Sequence, residues 1–315
     1  MVNISLMKKV VAVAPYNHGV NFKMQVYDAW VKMGGKTMSG HYPWRPLHSF
    51  AFKCQLPQLW KNKTIAQLRF VQPISLFFDT FPEYTHYEII PMFWDSWPEF
   101  HGLISDFFVK YRVKTAIFCA SQSADVMRKR FPNMNILTIT EGIDTSAYNE
   151  GKLLKYRNID LLEYGRSNRK IFNENFSDKI VHLYPQKKQH LFKTDFEFKK
   201  ALCDAKIVIS LPKHDTCPEE TGFVETLTQR YWENMLSRNI MLGRAPKELI
   251  DLIGYNPVIE LACNNQKEQV LHILNNIESY QELVDKNRST ALKMGDWKIR
   301  IMEIRTFLEN CGYIF

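Results

Sequence analysis

Short apolar runs alternate with helical segments along the whole of this 315-residue chain, in two successive blocks. This alternation predicts parallel sheets, because parallel neighbouring strands need a crossover connection and that connection is usually a helix. The strands predicted in the first block are residues 10–14, 74–78, 87–92, 115–119 and 136–139. Those predicted in the second block are residues 159–164, 180–183, 207–211, 240–242 and 257–261. The sequence therefore predicts an α/β protein with two doubly wound parallel sheets.

Segments with helical periodicity lie between these runs. The predicted helices are residues 21–32, 98–111, 123–130, 196–204, 225–236, 246–253, 267–284 and 289–309. The basic and aromatic stretch 36–72 is predicted to be a helical or loop insertion without a regular strand. Because about 150 residues is an ordinary domain size, we predict one domain over 1–148, a second over 149–288, and a C-terminal helix within 289–315.

The composition is that of a globular protein, with 45 % hydrophobic and 23 % charged residues. No run of about 18 uncharged apolar residues is present, so no membrane span is expected. The first residues carry Lys8-Lys9 and a short apolar run into Pro15, which predicts a buried strand and not a signal peptide. The six cysteines are scattered without a Cys-x-x-Cys pair, which argues against a zinc site or a disulfide framework and favours a cytoplasmic protein.

The net charge of +8 is uneven along the chain, since residues 1–148 contain 16 Lys and Arg against 10 Asp and Glu. A basic half indicates an anionic partner, such as a membrane surface, a lipid phosphate or nucleic acid. Charge that only keeps the protein in solution explains the same excess equally well.

The most specific sequence feature is Glu225-Thr-Leu-Thr-Gln-Arg-Tyr-Trp-Glu233, in which seven residues separate two glutamates. It follows a loop rich in turn-forming and acidic residues, and it is predicted to open a helix that leads into the strand 240–242. This pattern resembles the Glu-x7-Glu signature of the retaining "glycosyl transferases group 1", whose second glutamate begins a segment such as Glu-Ala-Met-Ala-Ser-Gly-x-Pro-Val-Ile. Glu233, Met235 and Ser237 agree with that segment, whereas Arg238 and Ile240 replace its Gly and Pro.

The resemblance implies the GT-B fold, with two facing Rossmann-like domains, and a last helix that crosses back to the first domain. It also implies a donor site in the second domain. Glu233 would bind the ribose of a nucleotide, and Glu225 would face the transferred sugar and the diphosphate. The amides of Thr226 and Leu227, at a helix start, would suit the diphosphate. Both glutamates could instead be solvated helix charges.

Other segments follow the order of the same family. Glu141-Gly142-Ile143-Asp144 resembles its Asn-Gly-Val-Asp element, although a plain turn explains these residues equally well. After Gly165, the resemblance implies that Arg166 and Lys170 neutralise the donor diphosphate, with Arg169 able to substitute for either. Fixed cations would then replace a divalent metal, so neither a metal nor another cofactor is expected.

Two candidate site residues lie in the first domain. Gly19 follows the first strand, where a glycine lets backbone approach the donor phosphates, although it could be only a turn residue. Asp95 stands where the family often has a His-Asp pair near the acceptor, and the histidine is replaced by Trp94. Asp95 would orient an acceptor hydroxyl, or together with Ser96 it would cap the following helix.

These residues predict a retaining glycosyltransferase that moves a sugar from a nucleotide-diphosphate sugar to a glycan or lipid-linked acceptor in surface polysaccharide or lipopolysaccharide synthesis. A peripheral position on the inner face of a membrane would suit the basic first domain. The alternatives are another GT-B enzyme, namely a nucleotide-sugar epimerase or a DNA-base glucosyltransferase, and a non-catalytic protein that binds sugar nucleotides.

Overall fold

The structure, a computed structural model, describes residues 7–15, 21–40, 46, 50, 53–54, 56–165, 176–177, 179–185 and 191–315. The chain divides into two compact units. The first comprises Met1–Glu141, Cys217–Thr226 and Trp297–Phe315, and the second comprises Gly142–Thr216 and Leu227–Asp296.

Each unit is built on one parallel sheet. The strands of the first unit are β1 (Lys8–Val13), β2 (Thr37–Met38), β3 (Ile65–Val71), β4 (Glu88–Phe93), β5 (Thr115–Phe118), β6 (Asn135–Thr138) and β12 (Tyr313–Ile314). Those of the second are β7 (Ile159–Leu162), β8 (His182–Leu183), β9 (Ala205–Ser210), β10 (Ile240–Gly243) and β11 (Ile259–Glu260). Every described strand pair is parallel, as the alternation of strands and helices predicts.

Helices cover the sheets. Those of the first unit are α1 (Asn21–Lys32), α2 (Leu76–Thr80), α3 (His101–Lys110), α4 (Ser121–Arg130), α7 (Pro218–Thr221) and α12 (Trp297–Asn310). Those of the second are α5 (Asp195–Asp204), α6 (Lys213–Thr216), α8 (Gln229–Leu236), α9 (Lys247–Ile253), α10 (Gln266–Asn275) and α11 (Gln281–Met294). Among the described residues, no helix is long and apolar enough to span a bilayer.

The first five strands of each sheet have the same order. In the first, β1 lies between β2 and β3, and the sheet continues through β4, β5 and β6. In the second, β7 lies between β8 and β9, and the sheet continues through β10 and β11. In each sheet, the order reverses between the first and the third strand. In open α/β sheets, ligands bind at such a switch point, beyond the carboxyl ends of the strands.

Alternate residues of the strands pack against opposite helix layers. In the first unit, Leu68 and Phe70 pack with Trp30 of α1 and Trp297 of α12, whereas Phe93 packs in a separate cluster on α3 and α4. The residues after Asp296 thus belong to the first unit, where β12 pairs with β1. The second unit has two apolar layers of the same kind.

One predicted strand is wrong, and two strands of the first sheet were not predicted in the stretch where they lie. Residues 74–78 form a 3-10 turn (Pro73–Ser75) and the start of α2, whereas β2 and β3 lie inside the stretch 36–72 that was predicted to lack strands. Strand β3 contains Gln67 and Arg69, which are both buried. The Arg69 guanidinium donates to the Asp79 carbonyl and lies 3.8 Å from the Glu83 carboxylate. These polar residues interrupt the apolar run that identifies a buried strand.

The C-terminal helices also begin and end at other residues than predicted. The single helix predicted over 267–284 is interrupted at Asn276, whose side chain donates to the His272 carbonyl and ends α10. The helix predicted over 289–309 is divided at Gly295, where an added Cβ would lie 2.8 Å from the Ala291 carbonyl oxygen.

Candidate functional site

The switch point of the second sheet carries a connected set of polar side chains. Tyr164 and Gly165 follow β7, and Ser210 is the last residue of the neighbouring strand β9. Glu233 and Asn234 project from α8 toward these strand ends. The fold therefore brings residues from three separate segments to the edge where it predicts a ligand.

Glu233 accepts hydrogen bonds from two tyrosines of the second unit. Its Oε1 atom accepts from the Tyr148 hydroxyl at 3.0 Å, and its Oε2 atom accepts from the Tyr164 hydroxyl at 3.0 Å. Tyr164 also lies 3.2 Å from Asn234 Oδ1, and Asn234 Nδ2 donates to Ser210 Oγ at 3.0 Å. Glu233 is therefore not a solvated helix charge, because it connects helix α8 to the end of β7 and to residue 148.

The environment of Glu233 favours the protonated carboxyl more than water does. Burial raises the pKa of Glu233 above its ordinary value. The two tyrosine hydroxyls and the charge of Arg230 lower this pKa, but their effect is smaller than that of burial. Burial and the Glu233 carboxylate together raise the pKa values of Tyr148 and Tyr164, so both hydroxyls remain donors. A carboxylate oxygen has more than one acceptor position, so each Glu233 oxygen can still accept from a ligand hydroxyl.

Arg230 places a cation at the same edge. Its guanidinium carbon lies 5.2 Å from the centre of the Tyr164 ring. An added Cβ on Gly165, whose φ is +100°, would lie 1.8 Å from Arg230 Nη2, so only glycine admits the guanidinium there. No hydrogen bond or ion pair joins Arg230 to another residue in the part of the chain that the structure describes.

The start of helix α8 adds a second source of positive potential. Its N-cap residue, Thr228, makes no capping hydrogen bond with its side chain. The first amides of a helix carry partial positive charge and suit an anion. Arg230 stands in this first turn, so the cation and the amides lie together.

The predicted helix start at Glu225 is wrong, because α8 begins at Gln229. Glu225 and Thr226 lie in the Cys217–Thr226 segment of the first unit, where Val224 is buried with Trp97 and Ala120. The amide of Leu227 already donates to Glu248 Oε2 at 3.0 Å, and its side chain is buried. Tertiary packing thus keeps 224–228 out of the helix, and the amides of Thr226 and Leu227 do not open it.

Four other predicted site residues, Gly19, Arg166, Arg169 and Lys170, lie outside the described residues. The described chain reaches Gly165, which lies beside Arg230 and directly precedes Arg166 in the sequence. Their roles stay predictions.

In the first unit, Asp95 lies just beyond the carboxyl end of β4. Its Oδ2 atom accepts from Gln72 Nε2 at 2.7 Å, and Gln72 directly follows β3. Asp95 has φ +49°, a left-handed conformation that few non-glycine residues adopt. The interpretation of Asp95 as a helix cap is wrong, because the next helical turn has Trp97 as its N-cap, without a side-chain cap.

The backbone after Asp95 is held firmly. The Ser96 carbonyl accepts from Ser123 Oγ at 2.5 Å and lies 3.1 Å from His101 Nε2. The Trp97 amide donates to the Asp95 carbonyl at 2.8 Å. Burial lowers the pKa of His101, which keeps its ring neutral beside this carbonyl. The Asp95 carboxylate is therefore presented on a rigid turn, as a binding or catalytic group requires.

The remaining candidates are less informative. Asp144 accepts from the amide and the hydroxyl of Ser146, so the segment 141–144 ends in a capped turn. Cys217, Glu219 and Glu220 bring ligand atoms within 4.8 Å of one another, but exposed carboxylates often do so without a metal. All six cysteines are free thiols.

The fold resembles that of known glycosyltransferase structures. Sucrose-phosphate synthase from Thermosynechococcus elongatus aligns with a TM-score of 0.57 and 9 % identity over 96 % of this chain and 99 % of that chain. HepE from Anabaena in complex with UDP-glucose aligns with a TM-score of 0.54 and 8 % identity over 94 % of this chain and 98 % of that chain. TarM aligns with a TM-score of 0.53 and 12 % identity over 83 % of this chain, which spans only 57 % of that chain.

These neighbours have the GT-B fold, and the chain has the same fold, with two Rossmann-like units. No protein-family model matches the chain, and no curated protein sequence matches it. The fold prediction is thus confirmed.

The sequence analysis did not single out Arg230, Tyr164 or Tyr148. Arg230 stands between the two glutamates of the Glu-x7-Glu span, where a cation on the predicted helix was a usable signal. The two tyrosines could not be found from sequence, because their partner Glu233 lies 85 and 69 residues away.

Proposed function

We propose that the chain is a glycosyltransferase that uses a nucleotide-diphosphate sugar as its donor. The observation that carries this proposal is the arrangement of Arg230, Tyr164 and Glu233 at the switch point of the second sheet. Within a GT-B fold, a cation, a helix start and a hydrogen-bonded carboxylate at this edge supply what a diphosphate and a ribose require. That HepE was solved with UDP-glucose supports this donor class.

In this proposal, Arg230 binds the donor diphosphate together with the first amides of α8. An Arg fork suits two phosphate oxygens, and the Tyr164 ring holds the guanidinium in place. Arg166 and Lys170, or Arg169 in place of either, add charge from the sequence that follows Gly165. Glu233 accepts from the ribose hydroxyls through the free acceptor positions of its two oxygens.

The transfer itself is proposed to retain the configuration of the sugar. The bond between the sugar and the diphosphate loosens toward an oxocarbenium-like state, and the fixed cations stabilise the charge that develops on the departing diphosphate. The acceptor oxygen bonds to the anomeric carbon on the side of the leaving group, and its proton passes to the departing phosphate. No step in this scheme needs a metal ion.

Asp95 and Glu225 complete the proposed chemistry. Asp95, held by Gln72, orients the acceptor hydroxyl. Glu225 faces the transferred sugar, as the family resemblance implies, although it does not belong to the helix that carries Glu233. The acceptor is proposed to be a glycan or a lipid-linked precursor of a surface polysaccharide or lipopolysaccharide.

The experiment is a binding and turnover screen over nucleotides and nucleotide sugars. A bound donor raises the thermal unfolding midpoint by mass action, which identifies the base and the sugar. Proton NMR of the released or transferred sugar then gives its anomeric configuration. Retained configuration supports the mechanism, inverted configuration contradicts it, and conversion of the sugar while it is still on the nucleotide would indicate an epimerase.

A further inference from the structure

The amino-terminal edge of the first sheet, where β1, β3, β4 and β5 begin, combines exposed apolar side chains with lysines. This edge lies at the opposite end of the strands from Gln72 and Asp95. It carries the loop 56–62, which leads into β3. Leu59 and Trp60 are the apolar residues of this loop, and 64 % and 60 % of their surfaces are exposed.

The loop is fixed in place by three contacts with its surroundings. The Tyr111 hydroxyl donates to the Leu56 carbonyl at 2.9 Å, the Leu59 amide donates to the Thr85 carbonyl at 2.9 Å, and the Asn62 amide donates to the His86 carbonyl at 2.7 Å. The Asn62 side chain in turn accepts from the amides of Thr64 and Ile65. A fixed backbone means that the exposure of Leu59 and Trp60 does not come from a loosely held loop.

Trp60 is supported on one side only. Its ring meets the His86 ring edge-on, with 4.9 Å between the ring centres. An indole held in this way exposes apolar area that can be buried against a partner at little cost in conformational entropy. Two neighbouring large apolar side chains on a rigid loop are typical of an interaction surface.

The surface around the loop is basic. Lys61 is half-buried, and burial lowers its pKa, against the Glu88 carboxylate 3.7 Å away, which raises it. The nearby charges of Lys8 and Lys114 lower it further. Lys63 and Lys114 are exposed, and helix α3 ends at this edge with Lys110 and Arg112, which are exposed too. The acidic group Glu88 is buried and bonded to Lys8, at 2.7 Å, so it adds little negative surface.

We propose that this edge, defined by Leu59, Trp60, Lys61, Lys63, Lys110 and Lys114, docks the protein on an anionic lipid bilayer. The partner follows from the combination of groups. Lysines near an anionic membrane are attracted to its surface charge, and Trp and Leu gain by entering the boundary between headgroups and acyl chains. Nucleic acid would use the lysines but offers no apolar region for Leu59.

Docking at this edge leaves the carboxyl ends of β3 and β4, with Gln72 and Asp95, free of the bilayer. Strand β3 has seven residues, which separates the two edges by about 20 Å. This proposal does not depend on the donor chemistry, since no residue of the edge belongs to the proposed nucleotide site.

The test is flotation of the purified chain with vesicles of phosphatidylcholine and phosphatidylglycerol, and with vesicles of phosphatidylcholine alone. The expected result is binding to the anionic vesicles that falls as salt is added, because surface charge attraction is screened. The double variant Leu59→Ser, Trp60→Ser and the triple variant Lys63→Gln, Lys110→Gln, Lys114→Gln should each lower the bound fraction at least about tenfold.

Matched controls come from the second unit. Phe196→Ser removes an apolar side chain that is 76 % exposed, and a triple substitution of the exposed Lys200, Lys247 and Lys286 by Gln removes equal charge. Both controls should float like the unchanged protein. The nucleotide-induced rise in unfolding midpoint should be the same in all variants, which separates failure of this proposal from failure of the donor assignment.

The proposal is overturned if the Leu59 and Trp60 double variant binds the anionic vesicles as well as the unchanged chain does. It is equally overturned if the chain ignores the vesicles while a DNA duplex, tested by gel shift at the same ionic strength, retains it. If the chain binds the neutral vesicles as well as the anionic vesicles, the lysines do not contribute to docking as proposed.

Discussion

The guanidinium carbon of Arg230 lies 5.2 Å from the centre of the Tyr164 ring, and the backbone of Gly165 makes room for it. This relationship joins the first turn of α8 to the end of β7. An aromatic ring holds a guanidinium without using the N–H donors of that guanidinium. The N–H donors of Arg230 therefore stay available to an anion.

Replacing Arg230 by Ala should therefore weaken the binding of a nucleoside diphosphate by about 1.5–3 kcal/mol, the range for hydrogen bonds to charged groups. Isothermal titration calorimetry with the nucleotide that gives the largest thermal shift measures this loss. Lys286→Ala is the matched control, since it removes a cation placed 3.9 Å from the Tyr255 ring centre on helix α11. Equal nucleotide affinity in the Arg230 variant and the control would remove Arg230 from the donor site.

The Glu233 carboxylate allows a prediction about stability and binding together. Glu233→Ala leaves the hydroxyls of Tyr148 and Tyr164 without this acceptor, which should cost about 1–3 kcal/mol of unfolding free energy. Because the ribose also loses its partner, nucleotide affinity should fall by about 1.5–3 kcal/mol. Glu233→Gln keeps one oxygen acceptor and should be the more stable variant. Urea unfolding and calorimetry on both variants check this, and unchanged affinity in a folded Glu233→Ala protein would contradict the ribose assignment.

The raised pKa of Glu233 gives stability a defined pH dependence. Burial makes the folded protein hold the Glu233 proton more tightly than the unfolded chain does, whose carboxyl has its ordinary pKa of 4.5. Folding is thus favoured as the pH falls through the raised pKa, and the gain is complete below 4.5. Glu233→Gln cannot take up this proton. The unfolding midpoint of the unchanged protein should therefore rise relative to that of Glu233→Gln as the pH is lowered toward 4.5. A constant or falling difference would show that Glu233 stays ionised.

Asp95 should affect turnover more than donor binding. Asn fits the same space and tolerates the left-handed backbone at φ +49°, so Asp95→Asn should fold normally. Loss of the carboxylate that orients the acceptor should lower the transfer rate about 10–100-fold, while nucleotide affinity stays within about twofold. Steady-state kinetics and calorimetry on the same preparation measure both. A transfer rate equal to that of the unchanged enzyme would leave Asp95 as a structural partner of Gln72.

The sequence predicted the sheets well because most strands are uninterrupted apolar runs. It failed at β3, where buried Gln67 and Arg69 make a central strand look like a polar loop. The buried Arg69 guanidinium is satisfied by the Asp79 carbonyl and the Glu83 carboxylate. Both partners lie more than two helical turns further along the chain, so no local sequence pattern contains them together with Arg69.

The candidate site was predictable to a smaller extent. The Glu-x7-Glu spacing and its resemblance to the family segment pointed to Glu233, but they placed Glu225 in the same helix. The pattern of residues 225–236 does not show that Val224 is buried with Trp97 and Ala120. The contacts of Arg230 with Tyr164 and Gly165 depend on the parallel sheet bringing the end of β7 beside α8. Such contacts follow from the fold and not from local sequence.

The central claim is that the chain releases a nucleoside diphosphate from a sugar donor with fixed cations and without a metal. The direct measurement is chromatographic detection of the diphosphate after incubation with nucleotide sugars in excess EDTA, for the unchanged chain and for Arg230→Ala. We predict release by the unchanged chain, undiminished by EDTA, and at least about tenfold slower release by the variant. Loss of release in EDTA with recovery on adding manganese, or equal release by the two proteins, would contradict the account.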